Sequence, residues 1–296
     1  MPTILDLTIA IPCYNEGRAL LLKILSLLQH DFVPSHILVY NDGSTDDSIT
    51  CLPLLNFSRD FPYTSIEICE SKDNLGIHKG IQYLLSNVHL TSWVLISAVG
   101  DFVSPNLLKY FNRFILSHQH DHPVKLLFGN TIEYWPETNT YSDVRTISKR
   151  LSGFRYFTPI DNPLFASLVS GILPASNSYF YHISIINELS SILSDYCLYH
   201  AVDIVAYMFL VERYDSFGLF PDPITITERL PCSLGSRLSR MCDYKVLCKA
   251  IFRYNLSFYS KSILYRYLSV EVLKRTEPFP RRLQKLASLV YLYISF

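Results

Sequence analysis

Two strand–loop–helix units near the start of the chain constrain its fold more than any other feature. Leu7-Thr8-Ile9-Ala10-Ile11 is β-rich and runs into the polar turn Pro12-Cys13-Tyr14-Asn15-Glu16-Gly17. Leu20, Leu21, Ile24, Leu27 and Leu28 follow at helical spacing. In the second unit the apolar run Ile37-Leu38-Val39-Tyr40 reads as a buried strand and ends in the loop Asn41-Asp42-Gly43-Ser44-Thr45-Asp46. Gly43 suits a turn position of positive φ, and Ser44 or Thr45 can cap a helix that starts near Asp46. Both loops then lie at strand carboxyl ends, the rim on which open α/β sheets bind ligands. Asp42 is left there as a free carboxylate, able to accept from a base N–H or from ribose hydroxyls. The plain alternative is an Asp that merely forms the turn.

The alternation continues. Strands are predicted near 5–11, 36–40, 65–70, 92–97 and 124–128, and helices near 17–29, 46–55, 78–87 and 105–118, with Pro105 fixing the first turn of the last. This predicts an α/β fold with a mostly parallel central sheet and helices on both faces. From Thr131 to Pro159 the chain is polar, with a turn at Trp135-Pro136, and reads as a loop region. Helical spacing returns from Ser178 to Ser194 and from Tyr199 to Arg213. Phe217 to Thr227 holds two short β-like runs separated by Pro221 and Pro223, and the rest reads as helices. The chain divides into a body, residues 1–228, and a basic helical C-terminal extension, residues 229–296.

Hydrophobic residues make up 49% of the 296, enough for a sizeable core. The seven cysteines are scattered with no Cys-x-x-Cys pair, which favours reduced thiols and a cytoplasmic protein over disulfides or zinc. No charged-then-apolar leader and no transmembrane helix is predicted. The net charge of zero hides an asymmetry: residues 229–296 carry thirteen Lys and Arg against three acids. A basic, Tyr-rich tail suggests attraction to an anionic membrane surface, with Arg281 to Phe296 as an interfacial helix. A C-terminal helix packed on the body with solvated lysines fits the same pattern. Nucleic acid is the weaker partner, because the basic residues interleave with Leu and Val and no binding motif is present.

The motifs Ile9-Ala-Ile-Pro-Cys-Tyr-Asn-Glu16, Val39-Tyr-Asn-Asp-Gly-Ser-Thr-Asp46 and Asn74-Leu-Gly-Ile-His-Lys79 stand in series. In that order and at those intervals they resemble the family 2 glycosyltransferases of the GT-A fold, over roughly the first 110 residues and more loosely over the next hundred. The resemblance implies an inverting transferase that moves a sugar from a nucleotide-diphosphate sugar, a UDP-sugar first among them, to a saccharide or lipid-linked acceptor. It implies a surface-polysaccharide or glycolipid setting, with the protein cytoplasmic or peripheral on the inner face of the membrane. The donor-binding residues it implies are Pro12, Tyr14, Glu16, Asp42, Asn74, Lys79, Gly100 and Asp101. Tyr14 offers an aromatic face to the base, and Lys79 offers a point charge to phosphate or is a solvated helix-start lysine.

The family carries Asp-x-Asp or Asp-x-Asp-Asp after the fourth strand, where this chain has Ala98-Val99-Gly100-Asp101 before Pro105. Asp101 falls on the motif's last acid, and Ala98 and Gly100 stand where other carboxylates are expected. A Mg²⁺ or Mn²⁺ cofactor is then held by Asp101 and the donor's own phosphates, or is dispensed with. Asp203, in the apolar setting Ala201-Val202-Asp203-Ile204-Val205, is the candidate general base, with a capping or salt-bridged Asp as the plain reading and Asp195 as competitor. Gly171 resembles the glycine lining the acceptor side. Arg237 and Arg240 either reach the diphosphate or are solvated. The His118-Gln119-His120-Asp121-His122 run reads as a loop rather than a metal site. Loss of the motif's carboxylates keeps a second function open, a degenerate nucleotide-sugar-binding protein. A nucleotidyltransferase is disfavoured, because no Gly-rich, Arg- and Lys-bearing loop follows the first strand.

Overall fold

The structure, a computed structural model, describes residues 1–54, 56–87, 91–118, 124–141, 179–195, 213 and 218–228. Its frame is a sheet of nine strands among those residues. In chain order these are β1 (Thr3–Cys13), β2 (Phe32–Asn41), β3 (Ser65–Glu70), β4 (Trp93–Ile96), β5 (Asp101–Val103), β6 (Leu126–Trp135), β7 (Thr140–Tyr141), β8 (Tyr179–His182) and β9 (Gly218–Glu228). The helices are α1 (Ala19–Leu28), α2 (Phe57–Asp60), α3 (Ile77–Asn87), α4 (Pro105–His118) and α5 (Ile186–Asp195). The spatial order is β3-β2-β1-β4-β8-β6-β9-β5, with β7 beside β6. β1 pairs parallel with β2 and β4, and β2 with β3. β8 runs antiparallel between β4 and β6, so β6 and its parallel neighbour β9 return to the common direction.

The mostly parallel α/β sheet expected from the alternation is therefore present. Strand pleating sends alternate residues of β1 to opposite faces. Leu5, Leu7, Ile9, Ile11 and Cys13 join Leu20, Ile24 and Leu27 of α1 and Leu107, Leu108 and Phe111 of α4 in one buried cluster. On the other face Gly80 of α3 lies against the Tyr40 ring, and Tyr83 stacks on Tyr40 with centroids 4.7 Å apart.

Four expected elements differ. In the loop region expected from Thr131, β6 runs on to Trp135 and β7 pairs back against it, because ladder pairing with β9 and β7 outweighs the polar local composition. The helix expected over 46–55 is absent: the chain turns there and gives a 3₁₀ segment over Leu52–Leu54. The cause is that Asp46 accepts from the Ser48 backbone N–H and hydroxyl, an Asx arrangement that competes with a helical start. The window Ser178–Ser194 opens as a strand: Tyr179, Phe180 and Tyr181 are buried in β8, and only Ile186–Asp195 is α-helical. Aromatic residues fit a pleated buried surface, and tertiary pairing outweighs helical spacing. The two β-like runs of Phe217–Thr227 are one strand, with register shifts near Pro223 where the chain lacks an N–H. The Tyr199–Arg213 helix lies outside the described residues except Arg213, whose guanidinium meets Glu188 at 3.1 Å. Residues 229–296 also lie outside them.

Candidate active site

Parallel pairing of β1, β2 and β4 places the loops that follow them on one rim of the sheet. The first two are bound together directly. Asp42 N–H donates to the Cys13 carbonyl at 2.9 Å. Asn15 and the second loop exchange bonds: Asn15 N–H donates to Ser44 Oγ at 2.9 Å, and Thr45 N–H to Asn15 Oδ1 at 2.8 Å. This holds Asn15 at φ +53°, a left-handed conformation that Asn tolerates better than most residues. Glu16 N–H and Gly17 N–H donate to Ser48 Oγ at 2.9 and 2.8 Å, and Gly17 N–H also to Asp46 Oδ2 at 2.9 Å. The bonds from Ser48, first of all that from its hydroxyl, hold the Asp46 carboxyl below the usual carboxylate range.

Asp42 is not the free carboxylate that the sequence suggests. It is 5% exposed, and its two oxygens accept from the Leu75 and Gly76 backbone N–H groups, each at 2.8 Å. Asp42 thereby clasps the third loop, which also carries Asn74, to the second. Gly43 makes the close approach possible. It sits at φ +71°, and a Cβ there would lie 2.7 Å from the Asp73 carbonyl carbon and 2.9 Å from the Asn74 nitrogen.

The fourth loop, Ser97 to Asp101, joins β4 to β5, a strand the sequence reading did not include. Ser97 N–H donates to the Ala10 carbonyl at 3.0 Å, anchoring the loop to β1. Asp101, on β5, faces Thr227 of β9 in the ladder. Glu16 feels the carboxylates of both Asp46 and Asp101; burial first, then these two charges, raise its pKa above the ordinary glutamate value. Tyr14 stands 44% exposed at the rim, Asn74 and Lys79 are exposed, Gly100 opens onto free space, and Pro12 lies at the end of β1 opposite Tyr40. Asp203, Gly171, Arg237, Arg240, His120 and His122 lie outside the described residues, as does the Asp195 side chain.

Lys23, buried beneath the fourth loop, is a charged residue that the sequence reading did not place near the candidate site. Its signal was visible: it interrupts the apolar stripe Leu20, Ile24, Leu27 of α1 at a position that faces the core. Burial lowers its pKa to about 8, opposed by the Asp101 charge, which raises it. Cys13, beneath the same loops, is pushed up to about 11 by burial first and by Glu16 second. Its thiol therefore stays protonated in the native state where an unfolded thiol, near 9, ionises. A group with its folded pKa raised contributes stability that is complete below pH 9 and lost as pH rises through about 11. In urea unfolding from pH 8 to 11, stability of the native sequence relative to Cys13→Ala is expected to fall across that window. A constant difference would contradict the assignment.

Among the described residues no group of three His, Cys, Asp or Glu side chains is placed to hold a metal ion. Asp101 is the single carboxylate of its loop. That donor set fits a hard divalent cation only where a ligand's phosphate oxygens complete the shell. No described helix is long and apolar enough to cross a membrane.

No protein-family model matches the chain, and no curated protein matches it. Solved structures do. The 1–349 region of S. aureus TarS in complex with UDP-GlcNAc superposes with a TM-score of 0.63 at 16% identity, over 99% of this chain and 73% of that one. The mannosyltransferase PcManGT from Pyrobaculum calidifontis, in complex with GDP-Man and Mn²⁺, gives 0.57 at 12%, over 98% and 75%. The fold is accordingly GT-A-like, the α/β architecture seen in these glycosyltransferases.

Proposed function

We propose that the chain is an inverting glycosyltransferase that transfers a sugar from a nucleotide-sugar donor, a UDP-sugar first among the candidates, to an acceptor hydroxyl. The observation that carries this reading is the convergence of Glu16, the Asp42–Asn74 loop pair and Asp101 on one rim of the sheet. Its support is the fold shared with proteins solved with UDP-GlcNAc and GDP-Man.

Tyr14 supplies a ring face for the base, and the welded loops hold the nucleoside without reorganising when it arrives. Lys79 meets phosphate charge. A divalent cation, when bound, supplies charge neutralisation on the diphosphate, with Asp101 as its protein ligand. Asp203 takes the acceptor proton as the acceptor oxygen forms its bond to the anomeric carbon. The bond from that carbon to the diphosphate oxygen breaks on the opposite face, and the nucleoside diphosphate leaves with the electron pair.

Thermal shift against UDP-GlcNAc, GDP-Man and related donors tests the binding half, because a bound donor raises the melting temperature by mass action. Absence of a shift with every nucleotide sugar would refute the reading. For the chemistry, Asp203→Asn is expected to lower turnover by about 10²-fold with donor affinity little changed; full turnover in that variant removes Asp203 from the mechanism. A binding protein without catalysis is the second reading, favoured by Ala98 and Gly100 in the metal-motif positions. Donor binding with no turnover toward any acceptor or water would select it.

A further inference from the structure

Lys23 lies beneath the candidate donor loop, 5% exposed, on a helix face whose other members are apolar. Its ammonium donates to Ser97 Oγ at 2.8 Å and to the backbone carbonyl of Asp101. Those partners are the two ends of the turn Ser97-Ala98-Val99-Gly100-Asp101. Ala98 and Gly100 bring no polar side chain to the turn, and a Cβ at Gly100 would meet nothing within 4 Å. The turn's own bond is Asp101 N–H to the Ala98 carbonyl at 3.1 Å. Val99, between them, packs into the core cluster, and Lys23 spans the two ends of the loop from below. A desolvated cation in a core is costly, and a Leu or Met of similar volume packs the stripe without that cost. Core packing alone does not explain a lysine here.

We propose that Lys23 is a positioning residue for the donor site: by bridging Ser97 and Asp101 it fixes the direction from which the Asp101 carboxylate meets the donor diphosphate and its cation. This rests on the nucleotide-sugar reading above. The feature is specific to this chain's turn, in which one carboxylate does alone what several would share.

A double-mutant cycle tests it. Calorimetric affinity for UDP and for GDP, with Mn²⁺ and with EDTA, is measured for the native sequence, Lys23→Met, Asp101→Asn and the double variant, alongside each melting temperature. Each single change is expected to weaken nucleotide binding in Mn²⁺ about tenfold, with the melting temperature of Lys23→Met near or above that of the native sequence. The double variant is expected to bind no more weakly than the weaker single one, since residues acting as one unit are not additive. Ser97→Ala, which removes one partner of the ammonium without emptying the core, is expected to weaken binding about threefold and also to add nothing to Asp101→Asn. Should Lys23→Met not fold, Ser97→Ala carries the cycle.

Multiplying effects of Lys23 and Asp101, native affinity in Lys23→Met, or equal native affinity in Mn²⁺ and EDTA would each overturn the positioning role while leaving the transferase reading in place. If the native sequence binds neither UDP nor GDP in either condition, the transferase reading fails and the proposal falls with it.

Discussion

Gly43→Ala is expected to lower unfolding stability by about 2–4 kcal/mol and to remove nucleotide binding. Two effects add at this position. Alanine at φ +71° sits in the left-handed region, and its Cβ would press on the backbone of Asp73 and Asn74 at 2.7 and 2.9 Å. A flexible side chain can swing aside, but these backbone atoms can yield only if the third loop moves. That loop is held by the Asp42 carboxylate through Leu75 and Gly76, so its displacement also strips Asp42 of both backbone N–H donors. Neighbouring glycines separate the causes. Gly76 has φ +88° and open space around a Cβ, so Gly76→Ala isolates the conformational part, about 1–2 kcal/mol. Gly100 has open space and no positive φ, so Gly100→Ala is expected to change stability by less than about 0.5 kcal/mol. Urea unfolding of the three variants ranks them; Gly43→Ala falling with Gly100→Ala would show that the third loop does not lie where the structure has it.

Phe111→Ala is expected to cost about 3–5 kcal/mol. Phe111 is 1% exposed on α4. It stacks on Phe180 of β8 with centroids 4.9 Å apart and meets Trp93 of β4 edge-on at 5.9 Å. One ring thus joins a helix to both strands of an antiparallel pair. Its removal leaves a cavity whose walls are themselves large rings, which collapse poorly into the space. Phe111→Leu, which refills most of the volume, is expected to recover more than half of the loss. A loss under about 1 kcal/mol for Phe111→Ala would mean that α4 does not pack on β4 and β8 as described.

The sequence exposes the parts of this protein whose causes are local. β1 and β2 announce themselves as β-rich runs, and α1, α3 and α4 as spaced apolar stripes, because each pattern is set by a period within one element. The positive φ of Gly43 was legible for the same reason. The helix expected over 46–55 failed because the competitor, Asp46, spends its carboxylate on Ser48 and on Gly17, the latter 29 residues away. Asp42 looked free because the amides that bind it lie 33 and 34 residues downstream. β8 was read as helix since Tyr179–His182 becomes a strand only between β4 and β6, both distant in sequence. Lys23 was readable as a charge in an apolar stripe, but which groups it serves depends on a contact 74 residues away, at Ser97.

The insertion of β8 has a consequence for the nascent chain. β4 has its β1 partner earlier in the chain, yet the partner for its other side, β8, is made about 85 residues later. At roughly 5–20 residues per second that is several seconds of synthesis. Throughout it, an edge bearing Trp93, Val94 and Leu95 stands open to other chains. Fragments truncated ahead of residue 179 would keep that edge permanently, so their solubility, rather than their helix content, is where a half-made molecule of this kind would fail.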